Sequence, residues 1–106
     1  MTASTRKKKT RDTGAKTPKY HFLLFIAGEE PNSVAARSSL EKICSTYLEQ
    51  DCHVEIIDVL EDFRPALKES VWVTPALVIT EPGPRTVIFG NLSDTQEVLS
   101  ALNVAT

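Results

Sequence analysis

The sequence predicts an α/β domain whose mixed sheet has a parallel first half and an antiparallel hairpin in the second half. In the first half, two apolar segments, residues 20–27 and 53–60, flank a segment with helical periodicity, which is the pattern of a right-handed βαβ unit. In the second half, residues 76–80 and 85–89 are short β-branched segments. The turn between them is too short for a crossover, so they form a hairpin.

The first strand and the first helix have the clearest signals. Residues 20–27 are almost continuously apolar, which is typical of a strand buried on both faces in the middle of a sheet. The helix should begin at Asn32 or Ser33, with Pro31 just before the cap. It should end near Gln50. Its apolar side chains recur at helical spacing and predict one face packed on a core: Ala36, Leu40, Ile43, Cys44, Tyr47 and Leu48.

The remaining elements complete the order of a known fold. Residues 53–60 form the second strand, and residues 62–70 suit a short helix with Pro65 in its first turn. After the hairpin, Ser93 and Gln96 make a capping box for a last helix, whose buried face carries Val98, Leu99 and Leu102. The order β-α-β-α-β-β-α is that of the thioredoxin fold.

Redox enzymes of that fold carry a cysteine at the N-terminus of the first helix, where the helix dipole stabilises a thiolate. Residues 28–33 occupy this place and hold no cysteine. Glu29 and Glu30 are interpreted as surface acids that complement the dipole. Cys44 and Cys52 are predicted to be free thiols, with Cys44 as a small core residue.

Other chemical signatures indicate a binding module rather than an enzyme. The sequence has no phosphate-binding loop and no nucleophile elbow, and we expect no metal and no cofactor. Pro75 matches the position of the cis-proline loop of the thioredoxin fold. Trp72 is either an exposed binding aromatic or a core side chain, and we predict the core.

The net charge of −2 conceals two oppositely charged parts. Residues 1–19 hold seven basic residues against one acid, a net charge of +6, whereas residues 20–106 hold five against 13, a net charge of −8. The first part lacks large apolar side chains, so we predict a disordered basic tail followed by one folded domain. A solubilising role is favoured over binding to nucleic acid or membrane. With no apolar segment for secretion or for spanning a membrane, we expect a cytoplasmic protein.

Five segments of the predicted domain match the motifs of one known family. They are residues 27–34, 57–60, 74–75, 82–84 and 90–93, which read AGEEPNSV, IDVL, TP, PGP and GNLS. Together they resemble the KaiB family of circadian clock proteins over residues 20 to about 103. The N-terminal domain of the clock-output sensor kinase SasA is a close relative of that family.

The resemblance implies a non-catalytic clock or signalling adaptor without a small-molecule substrate. It implies binding to a KaiC-type ring ATPase, whose phosphorylation cycle the adaptor modulates, and KaiA-like or SasA-like clock proteins as further partners. Nucleic acid is not expected as a partner. The alternative is a thioredoxin-like redox or stress-response protein with a divergent partner. The partner-binding residues implied are Gly28, Glu29, Pro31, Asn32, Pro75, Arg85, Gly90 and Asn91.

Fold switching is a second implication of the resemblance. The family's resting tetramer has the order β-α-β-β-α-α-β, and its KaiC-binding form is a thioredoxin-like monomer. The re-paired part corresponds to residues 61–106, with switch positions at Glu61, Pro65, Pro75, Pro82, Pro84 and Ser93. The capping box at Ser93 predicts that this chain rests as the thioredoxin-like monomer, and the homotetramer is the alternative.

Departures from the family pattern suggest a diverged paralogue. Asn91 stands where the family usually has Asp, and Glu61 and Glu81 stand among positions that are often basic. A domain with a net charge of −8 would bind an acidic KaiC surface less favourably, because like charges repel. The sequence therefore predicts a partner that differs from the standard one.

Overall fold

The structure is a computed structural model and describes residues 18–104. The predicted tail, residues 1–19, lies outside the described residues except for Pro18 and Lys19. Within the described part, strands and helices follow one another in the predicted order. They are β1 (Tyr20–Ile26), α1 (Pro31–Tyr47), β2 (Cys52–Asp58), α2 (Arg64–Lys68), β3 (Ala76–Glu81), β4 (Thr86–Phe89) and α3 (Thr95–Ala101).

The four strands form one mixed sheet in the order β2-β1-β3-β4. β1 runs parallel to β2, with Leu24 opposite Ile56, and antiparallel to β3, with Leu24 opposite Leu77. β3 and β4 are the predicted antiparallel hairpin. The thioredoxin-like fold is confirmed, and the continuous apolar character of β1 reflects its position between two neighbouring strands.

Helices cover both faces of the sheet. Alternate side chains of β1, among them Phe22 and Leu24, lie in the larger core with residues of α1 and α3. Phe25 points to the other face and lies in a smaller core with Ala66 of α2. β2 lies at the edge of the sheet, and its residues from His53 to Ile56 are exposed, which explains its weaker apolar pattern.

The start and end of α1 differ from the prediction. Pro31 is the first helical residue and Glu30 is the N-cap. The two carboxylate oxygens of Glu30 accept hydrogen bonds from the backbone N–H groups of Asn32, at 3.1 Å, and Ser33, at 3.0 Å. The prediction that the helix begins at Asn32 or Ser33 was therefore wrong. The Glu30 side chain accepts the hydrogen bonds of the first turn, a role that the shorter Ser, Thr, Asp or Asn usually has. The helix ends at Tyr47, before the predicted Gln50, because the backbone turns left-handed in this region.

The cap of α3 is Asp94, so the prediction of Ser93 as N-cap was wrong. Oδ1 of Asp94 accepts a hydrogen bond of 3.2 Å from the backbone N–H of Glu97. Ser93 and Asp94 are both residue types that cap helices, and the structure uses the side chain of Asp94. Ser93 instead donates its backbone N–H to Oδ1 of Asn91 at 3.0 Å. The predicted buried face of this helix is correct: Val98, Leu99 and Leu102.

The two candidate caps of α3 can be separated by mutation. Asp94→Ala removes the acceptor for a backbone donor of the first turn, so we expect it to lower the free energy of unfolding by about 1 kcal/mol. Ser93→Ala is the matched control and should cost clearly less. Urea denaturation of both variants measures the difference. A larger loss for Ser93→Ala would contradict the assignment of Asp94 as the cap.

Candidate partner-binding surface

Most of the predicted binding residues come together at one end of the sheet. The strand register places Ile26 opposite Asp58, Phe25 opposite Ala76, and Ala76 opposite Phe89. The carboxyl ends of β1, β2 and β4 therefore meet the amino end of β3. We call this end, with the loops of residues 27–30, 59–63, 72–75 and 90–92 that extend from it, the junction end of the sheet.

A hydrogen-bond network fixes the loop between β1 and α1 at the junction end. The backbone N–H of Ala27 donates to Oγ of Ser33 at 3.0 Å, and Ser33 is completely buried. Oδ1 of Asp58 accepts the backbone N–H of Gly28 at 3.0 Å and that of Leu60 at 3.0 Å. Asp58 thus couples the loops that follow two neighbouring strands. Asp58 belongs to the IDVL segment at residues 57–60 that carries the family resemblance, but it was not among the predicted site residues.

Both the backbone conformation at position 28 and the nearby Leu60 side chain favour a glycine there. Its φ of +56° lies in the left-handed region, and a Cβ atom there would lie 3.1 Å from Cδ1 of Leu60. The next residues along the chain, Glu29, Pro31 and Asn32, are exposed. The predicted binding residues of this loop are therefore displayed on a backbone that Gly28 and Asp58 hold in place.

The second predicted binding segment is anchored to the first residues of β3. The Thr74–Pro75 peptide bond is cis, as the position of the cis-proline loop predicted. The carbonyl oxygen of Pro75 accepts the backbone N–H of Gly90 at 2.9 Å, and Gly90 has a φ of +104°. Pro75 itself is buried, so it shapes this loop rather than presenting a side chain. Asn91 closes an Asx turn through its Oδ1 atom, an acceptor that Asn and the family's usual Asp both provide.

Large apolar side chains are exposed on the loops of the junction end and at the end of β4. We call this set the apolar junction surface, and its members are Leu60, Phe63, Trp72, Val73 and Phe89. Trp72 is 75% exposed, so placing it in the core was wrong. Its neighbour Val71 takes the buried position, in the same small core as Phe25. Because Val71 and Trp72 are both apolar, the sequence pattern does not show which of the two side chains is buried.

Arg85 does not join the other predicted binding residues. It precedes β4, whose first residue, Thr86, pairs with Ile79, so Arg85 lies toward the opposite end of the sheet. Its guanidinium donates to Oε1 of Glu69 at 3.2 Å and to the Glu69 carbonyl oxygen. Arg85 therefore ties the start of β4 to the end of α2.

The predicted switch positions are spread over the second half of the fold. Glu61 and Pro75 lie at the junction end, and Pro65 lies in the first turn of α2, as predicted. Pro82 and Pro84 lie in the turn between β3 and β4, at the opposite end of the sheet, and both follow cis peptide bonds. Ser93 lies between β4 and α3.

The two cysteines do not provide the nucleophile of a thioredoxin-type enzyme. They are free, and neither lies at the N-terminus of α1. A hydrogen bond with the Cys44 side chain, together with burial and the negative charge that Cys44 and Asp51 would carry, raises the pKa of the Cys52 thiol. A redox nucleophile needs the opposite shift. Within residues 18–104, no three His, Cys, Asp or Glu side chains are grouped so that they could hold a metal ion.

The raised pKa of Cys52 predicts a change in thiol reactivity. A thiol with a raised pKa holds less thiolate at a given pH, so Cys52 should react slowly with iodoacetamide at pH 8. Cys44→Ala removes the side chain that contributes most to the raised pKa of Cys52. The pKa of Cys52 should therefore fall, and its alkylation should become roughly tenfold faster. Mass spectrometry after cleavage at Glu49 separates the two cysteines. An unchanged rate in the variant would contradict the role of Cys44.

The family model described as KaiB domain matches residues 23–104. The chain belongs to the KaiB family. It is 38% identical over 81 residues to the circadian clock protein KaiB3 of Synechocystis sp., covering 76% of this chain and 79% of that one. It is 35% identical over 85 residues to the circadian clock oscillator protein KaiB of Picosynechococcus sp., covering 80% and 82%.

Solved structures agree with the family assignment at the level of the fold. The solution structure of the N-terminal domain of Synechococcus elongatus SasA superposes with a TM-score of 0.68, covering 90% of this chain and 93% of that one at 22% identity. Mitochondrial thioredoxin 3 of Saccharomyces cerevisiae superposes with a TM-score of 0.65, covering 83% and 80% at 18% identity. The predicted resemblance to KaiB is confirmed. Among the described residues, no helix is both long and apolar enough to cross a membrane.

Proposed function

We propose that this KaiB-family chain is a non-catalytic clock adaptor in the cytoplasm that binds a KaiC-type ring ATPase and modulates its phosphorylation cycle. The relatives it matches at 34–38% identity are circadian clock proteins. KaiA-like and SasA-like proteins are further candidate partners that would compete for the chain or for the ATPase. The binding site we propose is the junction end of the sheet.

The single observation that carries this site is the apolar junction surface. Large apolar side chains clustered on the loops of a folded domain, among them Trp and Phe, are characteristic of protein–protein interfaces. Aromatic side chains of this kind often supply most of the binding energy. The predicted binding residues Gly28, Glu29, Pro31, Asn32 and the Gly90–Asn91 pair lie at the same end of the sheet, so a partner that binds this end could contact both loops.

Charge supports a partner that differs from the standard one. Acidic side chains accompany the apolar junction surface, with Glu29 and Glu61 exposed. The basic side chain nearest to Glu61 in sequence, Arg64, is paired with Asp62 at 2.9 Å. A complementary partner should therefore present apolar pockets surrounded by basic groups. An ATPase with an acidic docking face would be disfavoured.

We also propose that the thioredoxin-like arrangement is the resting state of this chain. α3 has its own side-chain cap at Asp94, and Val98 and Leu99 are buried in the main core. Both features stabilise a helix where the family's resting tetramer has another structure. NMR secondary chemical shifts of the full chain test this: helical shifts are expected across residues 95–101, and extended shifts there would contradict it.

A binding assay with purified proteins tests the main proposal. The full chain is immobilised and exposed to KaiC-type ATPases, with ATP in one sample and a non-hydrolysable ATP analogue in the other. Its own oligomeric state is measured by light scattering. Retention of an ATPase with a changed phosphorylation time course is the expected result. Failure of every KaiC-type ATPase to bind under both nucleotide conditions would overturn the proposal.

A further inference from the structure

The two cysteines of the chain lie together, away from the junction end. Cys44 is in the last turns of α1 and is only 7% exposed. Cys52 is the first residue of β2, opposite Tyr20, and packs against the core cluster that contains Cys44. Seven residues separate the two cysteines in the chain. The fold therefore brings both thiols of the protein to the same core cluster.

A cavity gives small molecules access to both thiols. It has a volume of about 480 Å³ and runs between α1 and β2. Cys44 and Cys52 both line it, beside apolar residues such as Leu24 and polar groups such as Arg37. A cavity of this size admits hydrogen peroxide. Cys44 can thus be reached although it is almost completely buried.

The backbone between the cysteines is already fixed. The N–H of Gln50 donates to the carbonyl oxygen of Cys44 at 2.9 Å, and the N–H of Asp51 donates to that of Leu48 at 2.9 Å. The carbonyl oxygen of Asp51 then accepts the N–H of Tyr20 at 3.1 Å. These bonds hold the end of α1 against the start of β2. The two thiols are consequently held close to each other, since both side chains line the same cavity and Cys52 packs against the core cluster that contains Cys44.

We propose that Cys44 and Cys52 form a reversible, peroxide-sensitive disulfide that cross-links α1 to β2. In the first step the Cys44 thiolate attacks hydrogen peroxide. A sulfur–oxygen bond forms, the oxygen–oxygen bond breaks, and the departing hydroxide takes up a proton to become water. In the second step the other sulfur attacks the sulfenic acid, forms the sulfur–sulfur bond and releases a second water. Each disulfide consumes one peroxide, which is reduced by the two electrons that the sulfurs lose.

This modification is separate from the proposed clock function. The pair lies near the end of the sheet opposite to the junction end, since Cys52 pairs with Tyr20 whereas Asp58 pairs with Ile26. The cross-link would change the cavity and anchor the edge strand β2. It acts stoichiometrically, once per chain, and is distinct from turnover by a redox enzyme. In a reducing compartment the thiol form is the ground state, and a dithiol reductant restores it.

Peroxide titration of the full chain tests the proposal. One molar equivalent of hydrogen peroxide should remove both thiols that react with Ellman's reagent in urea, and dithiothreitol should restore both. Glutamyl endopeptidase cuts after Glu49, between the two cysteines. The two resulting peptides should remain joined after oxidation and separate on reduction. A non-reducing gel should show a monomer, which excludes a bond between two chains.

Cys52→Ser is the matched variant, because this side chain is half-buried and the substitution keeps its size. The variant should lose one thiol, acquire a single dimedone adduct at Cys44 and form no joined peptides. Three outcomes would overturn the proposal. Both thiols could remain free in the wild-type chain after an excess of peroxide, the joined peptides could occur only in dimers, or one thiol could be overoxidised while the other stays free.

Discussion

Trp72→Ala is expected to lower the affinity of the chain for its KaiC-type ATPase about 30-fold. This corresponds to roughly 2 kcal/mol of binding free energy. Trp72 is 75% exposed in the free chain and is the largest side chain of the apolar junction surface. Burying it against a partner removes a large apolar area from water. Its truncation should therefore cost more than that of any other exposed side chain.

Tyr47→Ala provides the matched control for this loss of binding. Tyr47 is an aromatic residue with 42% exposure, and it lies in the last turn of α1, away from the junction end. This variant should bind as the wild-type chain does, and thermal unfolding should be little changed in both variants. Titration calorimetry measures the affinities. If both variants lost the same amount of affinity, or if Trp72→Ala lost none, the interface would lie elsewhere.

Asp58→Ala is expected to lower the free energy of unfolding by about 2–4 kcal/mol. Oδ1 of Asp58 accepts two backbone N–H groups, those of Gly28 and Leu60, each at 3.0 Å. Hydrogen bonds to a charged acceptor each contribute about 1.5–3 kcal/mol, and we take the lower part of the summed range because Asp58 is only half-buried and its bond to Leu60 is exposed to water. Without Asp58 both donors lose their partner, and the two loops of the junction end are no longer coupled. Urea denaturation measures the stability change.

The Asp58→Asn variant separates the contribution of the hydrogen-bond acceptor at this position from that of the negative charge. An asparagine keeps an oxygen at the same position, as Asn91 does in its Asx turn. Hydrogen bonds to a neutral acceptor contribute about 0.5–1.5 kcal/mol each, so this variant should retain roughly half of the stability that Asp58 supplies. It should also retain ATPase binding, whereas Asp58→Ala should weaken it through the displaced Gly28 loop. A loss in Asp58→Asn as large as that in Asp58→Ala would show that the negative charge, rather than the hydrogen bonds, stabilises the junction.

The order of elements was predictable because each has a local signature. The continuous apolar run of β1 and the helical spacing of Leu40, Ile43 and Cys44 reflect burial that repeats along a single segment. The turn at Pro82–Pro84 was too short for anything but a hairpin, and β3 and β4 are antiparallel. The cis bond before Pro75 was consistent with its place in that order.

The errors arose where two neighbouring residues had similar local preferences. Ser93 and Asp94 both satisfy a capping pattern, and only the path from β4 into α3 selects Asp94. Val71 and Trp72 are both apolar, and the packing of α2 on the sheet decides that Val71 is buried. Arg85 was misplaced for a different reason: it precedes β4, and the hairpin register, with Thr86 opposite Ile79, puts it at the other end of the sheet.

The sequence by itself determined the family and the thioredoxin-like order, since motifs and periodicities depend on residues close together in the chain. Only the tertiary structure decided that Asp58 links two loops, that Trp72 is exposed and that Cys44 lies near Cys52. These features depend on contacts between different elements, such as that between Asp58 and Gly28. Such contacts follow from how strands and helices pack, and no local preference of either partner encodes them.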